Sequence, residues 1–258
     1  MHISKLLLDL TLAEHEGVGT WHEYLSKYKI FKKLENIKSV LLAGLPEEYG
    51  VASDILVFAK KGCKITVLDD RKDRLEKFID VAKDFNISDK IKIIETDIEK
   101  FPFKKNSFDL VTNTEAIQRV KDYKKFIKEM KRVSKKHILI FIPNAYYYSH
   151  YFITKIRTFK MKEILKNIDN IFKKDYIDMP PYPAGVSVSA KGISFSQGSK
   201  AQEREKLNKQ GKKESFFISI LKNFFLFFTP AFVLVEKFYF HPLKEFLSHM
   251  FFIHIIKN

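Results

Sequence analysis

The fold of this 258-residue chain is decided by a short apolar run that ends at a glycine, Ile37-Lys38-Ser39-Val40-Leu41-Leu42-Ala43-Gly44. Such a run is typical of a buried strand that is followed by a tight turn. A helical stretch follows at residues 51–61, and then comes a second strand-like run, Cys63-Lys64-Ile65-Thr66-Val67-Leu68-Asp69-Asp70. This alternation of strand and helix indicates a βαβ unit, in which the two strands are parallel.

The same alternation continues along the chain. Helical periodicity over residues 71–85 leads to a strand at 91–94, and further strands are predicted at 108–113 and 137–142 around a helix at 121–133. The strands are almost wholly apolar, as expected when helices cover both faces of a sheet. We therefore predict an α/β fold with a doubly wound, Rossmann-like sheet. Its ligand crevice should lie beyond the carboxyl ends of the strands.

The other segments are predicted to be additions to this sheet. Residues 1–36 carry apolar residues at helical spacing and are assigned to N-terminal helices, while residues 37–175 form the Rossmann-like core. Residues 176–215 are charged and rich in Ser, Gly and Lys, and they are predicted to be an irregular, mobile loop. Residues 216–258 are rich in phenylalanine and begin with helical sequence.

The stretch from Phe216 to Val235 is long enough to span a bilayer. Lys222 and Asn223 make insertion costly, and Thr229-Pro230 has the sequence of a cap and first residue of a new helix. Two short helices are therefore predicted. The first, residues 216–228, either packs in the protein interior or lies on a membrane beside the basic stretch 206–213.

Composition excludes several classes of protein. The net charge is +15, from 46 basic and 31 acidic residues, which allows nucleic acid or an anionic membrane as a partner. Most of the basic residues are lysines spread evenly along the chain, which favours a solvated surface over bidentate phosphate recognition. The single cysteine, Cys63, excludes a disulfide framework. The N-terminus lacks a signal-peptide pattern, so we expect a cytoplasmic protein, at the inner face of the membrane if residues 216–228 bind lipid.

The histidines predict no metal site, because their spacing matches no ligand pattern. Most of them are expected to be surface or structural residues. These are His2, His15, His22, His241, His249 and His254.

Acidic residues follow the second and third strands at the predicted crevice. Asp69 and Asp70 end the second strand, where a carboxylate can accept hydrogen bonds from both ribose hydroxyls of a nucleoside. They could equally cap the helix that starts at Arg71. Asp97 follows the third strand and could accept from an adenine amine, or it could be a turn residue before Pro102.

The order of these pieces resembles the class I S-adenosylmethionine-dependent methyltransferases, and most closely the type 11-like group that acts on small molecules or lipids. After the acid of the second strand come Thr96-Asp97-Ile98-Glu99-Lys100-Phe101-Pro102-Phe103 and Asn106-Ser107-Phe108-Asp109-Leu110-Val111. Residues 126–133 then precede a strand that ends Ile142-Pro143-Asn144. The resemblance covers residues 37–145. Residues 248–257 also resemble the family's last, antiparallel strand, which places residues 216–258 in the same domain.

The resemblance implies an S-adenosylmethionine cofactor and a set of residues that bind it. Asp69 or Asp70 would hold the ribose, and Asp97 and Ile98 the adenine. The methionine portion would lie against the turn after the first strand. The cofactor-binding residues implied in this way are Ala43, Gly44, Leu45, Asp69, Asp70, Asp97, Ile98 and Asn113.

Two parts of the sequence depart from the family pattern. The family's first loop reads acid–x–Gly–x–Gly–x–Gly, but here Leu42 replaces the acid, and Pro46 and Glu48 replace glycines. Pro46 also removes a backbone donor. After the fourth strand, Thr114–Val120 stands where relatives often carry a Glu-His pair, and its Arg119 cannot act as a general base. No catalytic residue is therefore assigned.

Residues after the fifth strand could shape an acceptor pocket. Tyr146, Tyr147 and Tyr148 either line that pocket or begin an amphipathic helix, and His150 is a candidate base. Pro180-Pro181-Tyr182-Pro183 is either a lid or a connector.

The resemblance implies a methyltransferase that acts on a small-molecule or lipid-like acceptor. The altered first loop supports an alternative, a catalytically degenerate methyltransferase-like binding or regulatory subunit. The lysine-rich surface supports a third, a peripheral membrane or RNA-binding protein. Nucleic acid ranks last as a partner, because no cluster of aromatic residues and arginines marks a site for it.

Overall fold

The computed structural model describes residues 21–46, 52–148, 150, 157–180, 186–189, 192–195 and 216–257. Its strands are β1 (Ser39–Ala43), β2 (Lys64–Asp69), β3 (Ile91–Glu95), β4 (Phe108–Thr114), β5 (Ser134–Pro143), β6 (Ile171–Ile177), β7 (Val186–Ser189), β8 (Gly192–Phe195) and β9 (Met250–Ile256). Its helices are α1 (Trp21–Phe31), α2 (Leu56–Lys60), α3 (Lys72–Asp84), α4 (Tyr123–Val133), α5 (Met161–Leu165), α6 (Phe216–Val235) and α7 (His241–Leu247).

Seven strands form one sheet in the order β3-β2-β1-β4-β5-β9-β6. The first five are parallel to one another, and β9 is antiparallel to both β5 and β6. The prediction of a doubly wound, methyltransferase-type sheet with a C-terminal antiparallel strand is confirmed. Because Met250 pairs with Pro143 and with Ile177, the start of β9 lies at the same edge as the carboxyl ends of the parallel strands.

The core lies on both faces of the sheet. In β1, Val40 and Leu42 belong to one buried cluster, while Leu41 and Ala43 belong to the other. This alternation follows from the two-residue period of a strand. After Ser39, the residues of β1 are all apolar and buried, because helices cover both faces of the strand.

The segment Phe216–Val235 is one continuous helix with Pro230 inside it, so the prediction of two short helices is wrong. Proline removes one intrahelical hydrogen bond, but packing on both sides of it holds the helix together. Thr229 and Val233 are buried, and Lys29 of α1 donates a hydrogen bond to the Val233 carbonyl. In the part of the chain that the structure describes, no helix has the length and apolarity needed to cross a membrane.

Two strand regions were missed by the sequence analysis. Strand β6 is an edge strand with exposed Lys173 and Lys174, so it lacks the apolar run that marks the central strands. The segment predicted to be an irregular loop contains the hairpin of β7 and β8. The predictions for residues 1–20, for the loop residues Glu47–Gly50 and for Pro181–Pro183 lie outside the described residues.

Candidate functional site

The strand order reverses between β1 and β4, and the crevice expected at such a point begins with the turn after β1. Gly44 occupies this turn with a φ of +81°, and its N–H donates to the Leu68 carbonyl at 2.8 Å. A Cβ atom on Gly44 would lie 2.6 Å from the Cβ of Ala116, in the turn after β4. Glycine is therefore required both by the backbone conformation and by the close approach of the β4 turn.

We expect Gly44→Ala to destabilise the fold by about 3 kcal/mol, because left-handed strain adds to the clash with Ala116. Gly62→Ala is the matched control: Gly62 has a φ of +90°, but nothing lies within 4 Å of a Cβ there. Backbone strain alone should lower the free energy of unfolding of Gly62→Ala by about 1 kcal/mol. Urea denaturation measures both, and equal losses for the two variants would show that the turns are not in close contact.

The predicted ribose carboxylate, Asp69, is fully buried at the end of β2, and groups of the chain itself occupy both of its oxygens. The Leu45 N–H donates to it at 2.6 Å, and the Arg71 N–H and Nε donate at 2.9 and 3.0 Å. Arg119 Nη2 lies 2.6 Å away, and its Nη1 donates at 2.8 Å to the half-exposed Asp70. The hydrogen bonds to Asp69 thus hold two arginine side chains and the turn after β1 in position.

Arg119 crosses the crevice. It follows β4, yet its guanidinium reaches past the end of β1 to Asp69 at the end of β2. Its Nη2 also lies 3.8 Å from the Cβ position of Gly44. The positively charged guanidinium of Arg119 therefore lies in the groove above the glycine turn. This role of Arg119 is not predictable from sequence, because nothing local shows that its side chain reaches from the end of β4 to the end of β2.

The remaining predicted cofactor residues differ in accessibility. Asp97 is exposed, and its carboxylate accepts the Glu99 N–H at 2.9 Å, as a turn residue does. Ile98 is buried, 3.8 Å from the Cβ position of Gly44. The side chain of Asn113 donates to the Ala43 carbonyl at 2.7 Å and so ties β4 to β1.

A second cluster lies at the same sheet edge, on the other side of the β4 turn. Asp178 accepts a hydrogen bond from His22 Nδ1 at 2.8 Å and another from His249 Nδ1 at 3.1 Å. Glu236 lies 3.2 Å from His22 Nε2 and accepts the Met179 N–H. The expectation that His22 and His249 are surface or structural residues overlooked this cluster, because residues 22, 178 and 249 meet only in the folded sheet.

The electrostatics of this cluster follow from its burial. Burial would raise the pKa of Asp178, but hydrogen bonds from His22 and His249 outweigh it and hold that pKa well below its usual range. Burial would also lower the pKa of His249, whereas the Asp178 carboxylate raises it to about 9. At neutral pH, His249 is therefore an imidazolium paired with Asp178.

A buried lysine, Lys27, interacts with three carboxylates close to this cluster. Fully buried Lys27 pairs with Glu23 and lies 3.6 Å from Asp54. Burial would lower the pKa of Lys27, but Glu23, Asp54 and Glu115 outweigh it and raise that pKa. Burial raises the pKa of Asp54 to about 6, and burial with the Glu23 charge raises the pKa of Glu115 to about 7.

The candidate base His150 is buried, and its Nδ1 lies 2.8 Å from the Asn144 carbonyl oxygen. Burial and the neighbouring His249 lower the pKa of His150 to about 3. Such a ring holds a proton poorly, so His150 is a weaker base than His249. Tyr147 is also buried, and its ring packs against both histidines.

An aromatic pocket of about 260 Å³ is lined by residues that are neighbours of this cluster in the chain. Three of its residues are close in sequence to the cluster: Tyr148 follows Tyr147, Met179 follows Asp178, and Leu247 precedes Ser248 and His249. The complete lining is Tyr148, Met179, Pro180, Phe232, Tyr239, Phe246 and Leu247.

Comparison with known proteins agrees with this fold. Residues 49–142 match the methyltransferase domain family, whereas no curated protein matches the chain. The cyclase SpnF is 13% identical, with a TM-score of 0.54 over 94% of this chain and 85% of its own. A methyltransferase from Thermotoga maritima, described as S-adenosylmethionine-dependent and a possible histamine N-methyltransferase, is 12% identical, with a TM-score of 0.52 over 92% of this chain and 90% of its own.

Geranyl diphosphate C-methyltransferase from Streptomyces coelicolor A3(2), solved with Mg²⁺, geranyl diphosphate and S-adenosyl-L-homocysteine, is 10% identical, with a TM-score of 0.51 over 90% of this chain and 77% of its own. These likenesses concern the fold, and the presence of a cyclase among them shows that one fold serves several reactions. The chain therefore has the fold of the class I S-adenosylmethionine-dependent methyltransferases, and residues 49–142 match the methyltransferase domain family.

Proposed function

We propose that this chain binds S-adenosylmethionine and transfers its methyl group to a small-molecule or lipid-like acceptor. The observation that carries this proposal is Asp69, a buried carboxylate at the carboxyl end of β2, beside the glycine turn where the strand order reverses. A nucleoside that lies across a sheet of this type presents its ribose to such a carboxylate.

The residues fit the cofactor if Arg119 moves away. Arg119 occupies the Asp69 oxygen Oδ2, but its Nη1 already pairs with the half-exposed Asp70, which offers an alternative position outside the crevice. Asp69 would then hold the ribose, Ile98 would contact the adenine, and the turn at Gly44 would lie against the methionine portion. When bound, the cofactor supplies an electrophilic methyl group, so the chain's task is mainly to orient the acceptor.

Titration calorimetry with S-adenosylmethionine and S-adenosylhomocysteine tests this proposal. We expect micromolar binding by the wild type and at least about tenfold weaker binding by Asp69→Asn, which keeps the size of the side chain but removes its charge. Asp97→Ala should weaken binding less, because Asp97 is exposed. A folded wild type that binds neither molecule at millimolar concentration would overturn the proposal.

A second candidate function is that of a degenerate, methyltransferase-like binding or regulatory subunit. It is favoured by the two arginines on Asp69 and by Pro46 in the first loop. In that case the guanidinium groups replace the cofactor permanently. Removing Arg119 would then leave the chain unable to bind either molecule.

We also propose that the acceptor is reached from an anionic lipid surface. Helix α6 and the turn after it expose Phe217, Phe227 and Phe238 by 71%, 79% and 75%. Lys237 lies beside Phe238, and the acid of this turn, Glu236, is buried against His22. An exposed face with apolar and basic residues suits the surface of an anionic bilayer, as does the net charge of +15.

Serine at Phe217, Phe227 and Phe238 together should reduce cosedimentation with vesicles at least about fivefold, because the apolar contact with the bilayer is lost. The vesicles contain phosphatidylcholine with about one-third phosphatidylserine. Phe172→Ser is the matched control, since Phe172 is 65% exposed on the edge strand β6. If the triple variant and the control bind equally, the α6 face does not contact lipid.

A further inference from the structure

The aromatic pocket of about 260 Å³ contains none of the residues assigned to the cofactor. Its walls come from three parts of the chain: Tyr148 after β5, Met179 and the next residue after β6, and the segment from Phe232 in α6 to Leu247 at the end of α7. Four of the seven lining residues are aromatic, and none of the seven carries a charge. Such a lining binds apolar groups by contact and stacking.

Hydrogen bonds hold the walls of this pocket in place. The Tyr148 N–H donates to the Phe246 carbonyl at 3.1 Å, and the centres of the two rings are 5.5 Å apart. The Met179 N–H donates to the Glu236 carboxylate at 2.8 Å, which ties the end of β6 to the turn after α6. Because the space is already formed, a ligand can enter it with little reorganisation of the protein.

The pocket opens onto an exposed apolar surface. Met179 is only 6% exposed and lies at the deep end, whereas Phe246 is both a wall of the pocket and 53% exposed. Tyr239, another wall, stands in the chain between Phe238 and Phe240, which are 75% and 67% exposed. A ligand can therefore enter from solvent along apolar side chains and extend towards Met179.

The volume of the pocket suits a single alkyl chain. A methylene group takes about as much space as one water molecule in the liquid, about 30 Å³, so about 260 Å³ holds about nine of them. A benzene ring fits a cavity of about 150 Å³ and would leave part of this space empty. The two chains of a diacyl lipid would have to share the space, so neither could be buried over its full length.

The charges beside the pocket favour an anionic head group. The segment that supplies most of the walls carries two acids, and both have partners in the protein: Glu236 accepts the Met179 N–H, and Glu245 accepts a hydrogen bond from the Tyr176 hydroxyl at 2.7 Å. Lys237, on the turn after α6, is exposed. An exposed ammonium group attracts a carboxylate, while the two acids are already engaged.

We propose that the aromatic pocket binds the alkyl chain of a medium-chain fatty acid, with the methyl end at Met179 and the carboxylate near Lys237. One chain fills the volume, and the anionic head matches the exposed lysine. This site goes beyond the proposed function, because it needs neither the cofactor nor any residue assigned to the cofactor.

Titration calorimetry with straight-chain carboxylates from butanoate to tetradecanoate, all below their micelle concentrations, tests this site. Each added methylene should tighten binding about fourfold, because each buries the same apolar area. The gain should end at about nine or ten carbons, where the pocket is full and further carbons stay in water. Adsorption to exposed phenylalanines would instead continue to gain with every methylene.

Two variants change two different features of this series. Phe232→Ala enlarges the pocket and should move the end of the series to longer chains. Lys237→Gln removes the charge and should weaken the binding of every acid by about threefold without moving the end of the series. The matched control Phe172→Ala, on the edge strand β6, should behave as the wild type, since Phe172 is exposed outside the pocket.

A two-chain ligand distinguishes a fatty acid from a bilayer lipid as the occupant. Monomeric dihexanoylphosphatidylserine carries an anionic head and two hexanoyl chains. It should bind no more tightly than hexanoate, because the pocket is built for one chain. Binding at least about tenfold tighter than hexanoate would assign the pocket to a diacyl lipid and exclude the fatty acid as its occupant.

Three further results would overturn the proposal: no binding of decanoate at millimolar concentration, a gain that continues unchanged to tetradecanoate, or an unchanged end of the series in folded Phe232→Ala. The wild-type series decides the matter even if Phe232→Ala does not fold. S-adenosylhomocysteine is titrated into the same preparation. Because the pocket and the groove at Asp69 share no residue, failure of cofactor binding is seen separately from failure of the chain site.

Discussion

Replacing Arg119 with methionine is expected to tighten the binding of S-adenosylhomocysteine by at least about tenfold. Arg119 makes a hydrogen bond of 2.6 Å to Asp69, which must break before a ribose can reach Asp69, whereas its 2.8 Å bond to Asp70 can be kept. A charged hydrogen bond of this kind contributes about 1.5–3 kcal/mol, which the cofactor must offset when it binds. Methionine keeps the length of the side chain but has no charge.

The Asp69 carboxylate should keep its position in this variant, because the Leu45 N–H and Arg71 still donate hydrogen bonds to it. Titration calorimetry measures the change, and Lys83→Met is the control, since it removes a positive charge from the exposed surface of α3. Weaker binding by Arg119→Met would show instead that the guanidinium contacts the cofactor. Binding by neither the wild type nor the variant would favour the degenerate subunit.

Lys27→Met should lower the free energy of unfolding by about 3–5 kcal/mol, because it leaves buried carboxylates without their cation. Lys27 is fully buried, and the nearby acids are Glu23, Asp54 and Glu115. The size of the loss should depend on pH. A carboxyl group whose pKa is higher in the folded state than in the unfolded state favours folding at low pH.

The pKa of Asp54 is about 6 and that of Glu115 about 7, so both groups take up protons as the pH falls below these values. The loss in Lys27→Met should therefore be largest near pH 8 and smaller near pH 5. Urea denaturation at the two pH values measures it, with Lys32→Met, on the exposed end region of α1, as the control. A loss below about 1 kcal/mol at both pH values would contradict a stabilising role for Lys27.

The central sheet could be predicted from sequence because its signal is local. The runs that became β1 and β2 are apolar, and each ends at a residue, Gly44 or Asp69, that suits a turn at the carboxyl edge. Strand β6 could not be predicted in this way, since it is an edge strand in which the consecutive residues Phe172, Lys173 and Lys174 are exposed. The helix continues through Pro230 because packing of Val233 outweighs the local helix-breaking preference of proline, and no local pattern shows that packing.

The residues around Asp69 and the cluster around Asp178 also differ in how local their sequence signal is. Asp69 and Gly44 could be predicted as candidate site residues because each stands at the end of a strand with a clear pattern. Glu115 also follows such a strand, so the rule that carboxyl ends carry the site could have identified it. Asp178 and His249 flank strands that complete the sheet only when β9 inserts between β5 and β6. Their meeting depends on tertiary pairing, which no local pattern records.

The link between His22 and Asp178 has a consequence for the order of events during synthesis. The two residues are 156 positions apart, and Asp178 also needs His249, close to the last strand. Contacts at such separation require large loops to close, so they form late in folding. While the chain emerges from the ribosome, the β1–β5 portion can assemble first, with the cluster around Asp178 still open. The glycine turn and the end of β2 can thus be in place before Asp178 has both of its histidine partners, and the cluster closes only when β9 joins the sheet.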